Sequence, residues 1–141
     1  MKITQLSVFL ENKPGQLSRP CRLLGEAGIN LLSLSLADTR QFGILRLIVE
    51  PWQKAKAILE QAGCVIKLAE VVAVLVADRP GGLAGLLEQL ETAGINVEYM
   101  YPFRDRGILV FRFEQTDSTI ALLQSKGFKI VTSAELFKVA D

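Results

Sequence analysis

The chain has 141 residues, half of them apolar and 22% charged, with a formal net charge of +1, so it reads as a soluble globular protein without the field that would draw it to nucleic acid. It contains no histidine, and Cys21 and Cys64 stand isolated, so zinc, haem and histidine acid–base chemistry lack their usual groups and both cysteines read as reduced core residues. Apolar runs such as Val71–Ala77 fall well short of the ~20 residues of a membrane span, and no signal peptide opens the chain, which points to the cytoplasm.

In chain order, Ile3–Leu10 is rich in apolar and β-branched residues and leads into Asn12-Lys13-Pro14-Gly15, the pattern of a buried strand followed by a turn. Leu17, Cys21 and Leu24 then recur at helical spacing up to Gly28. A helix beginning at Gln16 would lose a backbone bond at Pro20 and crowd the Gln16 carbonyl, so this helix is expected to start late or kink. Leu31–Ala37 and Ile44–Val49 form a hairpin across the polar loop Asp38–Phe42. A second helix follows Pro51, carries Ile58 and Leu59 and stops at Gly63, and a short strand closes the set near Cys64–Leu68.

The same order then recurs. Val71–Ala77 leads into Asp78-Arg79-Pro80-Gly81-Gly82-Leu83, and Leu83, Leu86, Leu87 and Leu90 mark a helix that stops at Gly94. Val97–Phe103 and Ile108–Phe113 make a hairpin with the charged tip Arg104-Asp105-Arg106, which reads as a solvated turn. A last helix begins at the candidate cap Asp117 and stops at Gly127, ahead of a strand near Lys129–Thr132. Ala27-Gly28-Ile29-Asn30 reappears unchanged as Ala93-Gly94-Ile95-Asn96, 66 residues on, whereas Gly43 and Gly107, like Gly63 and Gly127, are 64 apart. The difference places a two-residue shortening in one loop, where a duplicated fold tolerates it.

The expected fold is therefore α+β: two closely paired ferredoxin-like βαββαβ repeats, residues 1–68 and 69–141, each an antiparallel sheet with both helices on one face. Almost nothing separates Leu68 from Val71, so the last strand of the first repeat should run nearly straight into the first strand of the second. Strands 1 and 3 of each repeat read as apolar on both faces, and pairing of repeats or of chains is the cheapest cover for the side away from the helices.

The Pro-Gly turns also have a chemical reading. Proline sets φ, glycine lets the backbone approach a ligand, and the start of a helix offers N–H groups to a carboxylate. Asn12 can donate and accept, and Asp78 can accept from an ammonium, a combination that suits a zwitterion. Plainer roles stand beside these: the glycines turn or stop the chain, and Asn30 and Asn96 could occupy left-handed turn positions or bond to local backbone. Ser33 and Ser35 correspond to Tyr99 and Tyr101 on one strand face, which reads as complementary packing or, alternatively, as Tyr99 forming a pocket wall.

The phrase Glu11-Asn12-Lys13-Pro14-Gly15-Gln16-Leu17, with Asn30 following in Ala-Gly-Ile-Asn, resembles the ACT domain of amino-acid-regulated enzymes, and the resemblance extends over both repeats. It implies a composite ligand site in which Asn12 and Gly15 would face Asn96, and Asp78 and Gly81 would face Asn30; Leu17 and Leu83 of the motif, and Tyr99 from the strand comparison, complete the candidate ligand-binding set. It also implies a non-catalytic tandem ACT protein that binds a small amino acid and needs no cofactor or metal. Such a protein would be a homodimer and would signal occupancy by tightening an interface, with a partner enzyme as its target; the alternative is a ligand-free docking module. RNA-recognition domains share the element order, yet Ile108 and Val110 stand where stacking aromatics are needed, so nucleic acid is not an expected partner, nor is a membrane. The arginine-bearing phosphate loop of acylphosphatases has no counterpart in Glu11–Leu17, and no activated nucleophile is evident.

Overall fold

A computed structural model describes the chain at residues 1–38, 41–104 and 107–140. The elements are β1 (Ile3–Glu11), α1 (Ser18–Glu26), β2 (Leu31–Asp38), β3 (Phe42–Val49), α2 (Trp52–Gln61), β4 (Val65–Leu75), α3 (Gly82–Thr92), β5 (Val97–Pro102), β6 (Ile108–Phe113), α4 (Thr116–Ser125), β7 (Lys129–Val131) and α5 (Ser133–Ala140). They fall into two compact units, Thr4–Ala69, and Met1–Ile3 together with Glu70–Asp141. Residues 39 and 40, in the loop that is two residues longer in the first repeat than in the second, and the hairpin-tip residues Asp105 and Arg106 lie outside the described residues.

Each unit has the ferredoxin-like strand order. In the first it is β2-β3-β1-β4, and in the second β5-β6-β4-β7. β3 pairs antiparallel with β1 and β2, and β6 pairs antiparallel with β4 and β5. The expected run-on is present: β4 is one continuous strand, whose first residues close the first unit and whose last residues open the second. It ends at Leu75 rather than Ala77, leaving Val76 and Ala77 as a non-strand lead into the loop.

Register explains where the cores sit. Pairing of Leu6 with Leu47 and Val8 with Leu45 puts those four side chains on one face, where Leu24, Ala55 and Leu59 from α1 and α2 meet them, all fully buried. In the second unit Val72, Val74 and Phe111 meet Leu86, Leu90 and Leu123 in the same way. Fully burying an aliphatic side chain stabilises by about 1.5–3 kcal/mol, so these stripes supply most of the drive to fold. The face of β1 away from the helices is less apolar than expected, for it carries Gln5 and Ser7, with Gln5 Nε2 donating to Ser7 Oγ at 3.1 Å.

The helix ends repeat bond for bond. Ile29 N–H reaches back to the Leu24 carbonyl and Ile95 N–H to that of Leu90, each at 2.9 Å, while Cys64 to Leu59 and Phe128 to Leu123 span 3.0 Å. Each such six-residue closure needs a left-handed residue just before it, and Gly28, Gly63, Gly94 and Gly127 supply it with φ between 71° and 88°.

The helix starts differ. α1 begins at Ser18, whereas α3 begins at Gly82, the counterpart of Gln16, so the first helix does start two residues late. Pro20 is then its third residue, in the first turn, where a proline is tolerated because the backbone N–H groups have no partner within the helix. α4 begins at Thr116 with Gln115 as its cap residue, which corrects the expected cap at Asp117. Asp117 stands inside the first turn, where its charge suits the helix dipole, and pairs with Lys2 at 3.3 Å. That contact, first through its hydrogen bond and then through charge, raises the Lys2 pKa.

α5 was not foreseen. Its start is a capping box, with Glu135 N–H donating to Thr132 Oγ1 at 3.2 Å and Thr132 Oγ1 to Glu135 Oε1 at 3.0 Å, and its Leu136 is fully buried.

Candidate functional site

The two Pro-Gly loops have nearly the same backbone. Lys13 N–H bonds to the Glu11 carbonyl at 3.0 Å and Arg79 N–H to that of Ala77 at 2.9 Å; Gln16 N–H and Gly82 N–H then close onto Lys13 and Arg79 at 3.3 and 3.0 Å. Gly15 and Gly81 both take a left-handed conformation, at φ 90° and 83°. Gly81 is the cap residue of α3, and no side chain caps that helix start. The Gly82 N–H is taken by the Arg79 carbonyl, and those that follow it, of Leu83 and Ala84, can turn to a ligand anion or to water.

The second loop is drawn tighter by two glycines. A Cβ on Gly82 would overlap the Ala77 carbonyl oxygen, and one on Gly107 would sit 2.9 Å from that of Val76. Gln16 occupies the place of Gly82 in the first loop. The close approach brings the start of α3, the end of β4 and the start of β6 around a cleft of about 470 Å³. Val76, Pro80, Leu83 and Leu109 give it an aliphatic wall, and Asp78 and Arg79 stand on its rim. A second cleft of about 510 Å³ shares Val76, Ala77, Asp78 and Gly107 and extends to Phe128 and Lys129.

The structure therefore gathers Asp78 and Leu83 at one place, with Gly81 next to them in the loop. Arg79, Gly82, Gly107 and Leu109 belong to the same place and were not singled out from sequence. The doubled glycine of Pro80-Gly81-Gly82 was the available signal. In the first unit Asn12 and Gly15 are exposed, with Asn12 N–H donating to the Gln41 carbonyl at 3.0 Å, and Leu17 is 43% exposed at the cap position of α1.

Asn30 and Asn96 are exposed and lie between the helix stops and strands β2 and β5. Neither has positive φ, so the left-handed turn role is excluded. Just beyond each, the strand register skips one residue, between Leu31 and Ser33 and between Val97 and Tyr99. The bulge re-aims the side chains that follow. Tyr99 is half-buried opposite Arg112, and Tyr101 is buried opposite Val110. The expected pairings of Asn12 and Gly15 with Asn96, and of Asp78 and Gly81 with Asn30, join residues of different units and remain expectations. Among the described residues no group of three or more histidine, cysteine or acidic side chains could hold a metal ion, and no helix is long and apolar enough to cross a membrane.

Comparison with known proteins matches this arrangement to one family. The family described as "ACT domain pair" matches residues 1–140. A crystal structure of a protein from Bacteroides thetaiotaomicron is 35% identical, with a TM-score of 0.91 over 98% of this chain and 97% of that one. The regulatory subunit of aspartate kinase from Thermus thermophilus, in a ligand-free form, shares the fold at 18% identity, with a TM-score of 0.65 over 88% of this chain and 92% of that one. A 75-residue stretch is 35% identical to the acetolactate synthase small subunit of Buchnera aphidicola subsp. Baizongia pistaciae (strain Bp), covering 52% of this chain and 46% of that protein, so the match spans just under half of the curated relative. The chain is a member of the ACT domain pair family.

Proposed function

We propose that this ACT pair is a non-catalytic regulatory protein that binds a small amino acid and passes the binding event to a partner enzyme, working as a homodimer in the cytoplasm. The observation that carries this reading is the cleft at the start of α3, where an acidic side chain, a basic side chain and an uncapped helix N-terminus surround an aliphatic wall. An ammonium, a carboxylate and a side chain each have a matching surface there. The similarity to proteins named as regulatory or small subunits of biosynthetic enzymes supports the partner and the regulatory role. Mechanistically, the ligand shifts the population between two arrangements by no more than its difference in affinity for them.

A thermal-shift screen of the twenty amino acids tests this. A ligand present at a hundred times its Kd adds about 2.7 kcal/mol, which for a chain of this size raises Tm by about 5–10 °C. The expected result is such a rise for a small subset of amino acids. No rise with any of them at millimolar concentration would leave a ligand-free docking module as the better account.

A further inference from the structure

Each Pro-Gly loop is reached along a strand that starts in the other unit. β4 begins in the first unit and ends in the second, ahead of the Asp78 loop. β1 makes the reverse passage: Ile3 belongs with Met1 and Lys2 to the second unit, whereas Thr4–Glu11 belong to the first and run on to the Asn12 loop. Its ladder with β3 covers Leu6–Glu11. The leading residues are held in the second unit by burial of Ile3, which is 2% exposed, and by polar contacts around it. Lys2 Nζ lies 3.5 Å from Glu70 Oε2 and 3.3 Å from Asp117 Oδ1, and Gln124 Nε2 donates to Met1 Sδ at 3.1 Å. Glu70 is where β4 enters the second unit, so Lys2 ties the crossing strands to each other and to the start of α4.

We propose that Met1–Ile3 form an anchor that couples the two units: with it seated they unfold together, and without it the second unit opens by itself. The coupling does not depend on any ligand. Exposed ion pairs contribute little once water and salt screen them, so the buried Ile3 side chain is the main hold and Lys2 aligns it. Losing the anchor leaves β4 as the strand that still crosses. Because β1 and β4 lead into the two loops, the anchor also sets how far a change at either loop is felt in the other unit, and such coupling runs equally in both directions.

Peptide-resolved hydrogen exchange of the full chain tests this by comparing the slowest amides of β3 (Phe42–Val49) with those of β6 (Ile108–Phe113). In the wild type the two sets should exchange at the same rate, as units that unfold together do. Ile3→Ala should speed the β6 amides by about thirtyfold or more and leave them faster than those of β3. Ile3→Val, a milder change that keeps the fold, should give the same order with a gap of about two- to tenfold. Lys2→Ala should change either set by less than about fivefold. Different rates in the wild type, or matched rates in the Ile3 variants, overturn the coupling. A Lys2→Ala effect as large as that of Ile3→Ala overturns Ile3 as the main hold.

Discussion

The Asn12 and Asp78 loops share one backbone and differ in the side chains it carries. Their turn hydrogen bonds correspond pair by pair, and both contain a left-handed glycine. Side chains make the difference. Glutamate at Glu11 closes an ion pair inside the first loop, and Pro20 sits where α1 has only just begun. In the second loop glycine at Gly82 allows a tight backbone approach, and alanine at Ala77 stands where the first loop has Glu11. A turn motif therefore fixes a path for the chain, and the residues just outside it decide what the path can hold.

The sharpest way to ask whether the two units are energetically alike is to cut matching cavities. Leu24 and Leu90 are counterparts, 0% and 1% exposed, and each packs between helix and sheet. Leu24→Ala and Leu90→Ala should each cost about 2–5 kcal/mol in urea unfolding, by lost transfer energy and the void left behind. A gap of more than about 2 kcal/mol between them would break the equivalence of the cores.

Substitution at the loop positions probes where the units diverge. Gly82→Ala puts a methyl group into the Ala77 carbonyl and should cost about 1–3 kcal/mol as the loop shifts, whereas Gln16→Ala in the first loop should change stability by less than about 0.5 kcal/mol. Equal effects would mean that the tight approach is not special to the second loop.

The smallest effect concerns α5, which only the second unit has. Thr132→Ala removes its cap and should cost about 1 kcal/mol. Hydrogen bonding from Thr132, then from Lys129, holds the Glu135 carboxyl below its ordinary value of 4.5. A depressed carboxyl pKa stabilises the fold above that value and loses its effect as pH falls through the folded pKa. Helix fraying at the C-terminus should therefore appear below about pH 4.5 in the wild type. In Thr132→Ala that acid dependence should shrink; an unchanged amide-exchange profile across that range in both proteins would remove the cap from the account.

Much of the fold was legible in the sequence because its strongest signals are local. Strand alternation, leucine spacing and the Gly stops are read within a few residues, and the missing linker between Leu68 and Val71 was enough to anticipate the continuous β4. Pro20 was legible as a late start, but the reason it is tolerated, its place in the first helical turn, needed the helix boundary. The capping box Thr132-Ser133-Ala134-Glu135 stood in plain view and α5 was missed, since eight residues at a chain end carry little periodicity. For the candidate site, Asp78 and Leu83 came from the motif. Gly107 and Leu109 reach the cleft only through the register of β6, and the crowding of Gly82 depends on a carbonyl five residues earlier, so neither is a property of any short string.

The four glycine stops bear on how a duplication ages. A solvent-facing side chain drifts freely after two copies part, and a core side chain can be exchanged for another of similar bulk. A left-handed helix stop has one cheap occupant, so substitution there is penalised in both copies alike. Ancestry is thus preserved in the chain's punctuation after the side chains of the loops have diverged. The spacing also keeps a record: Gly28 and Gly94 lie 66 residues apart and Gly63 and Gly127 lie 64 apart, which dates no event but assigns the net length change since the copies separated to the stretch between those stops.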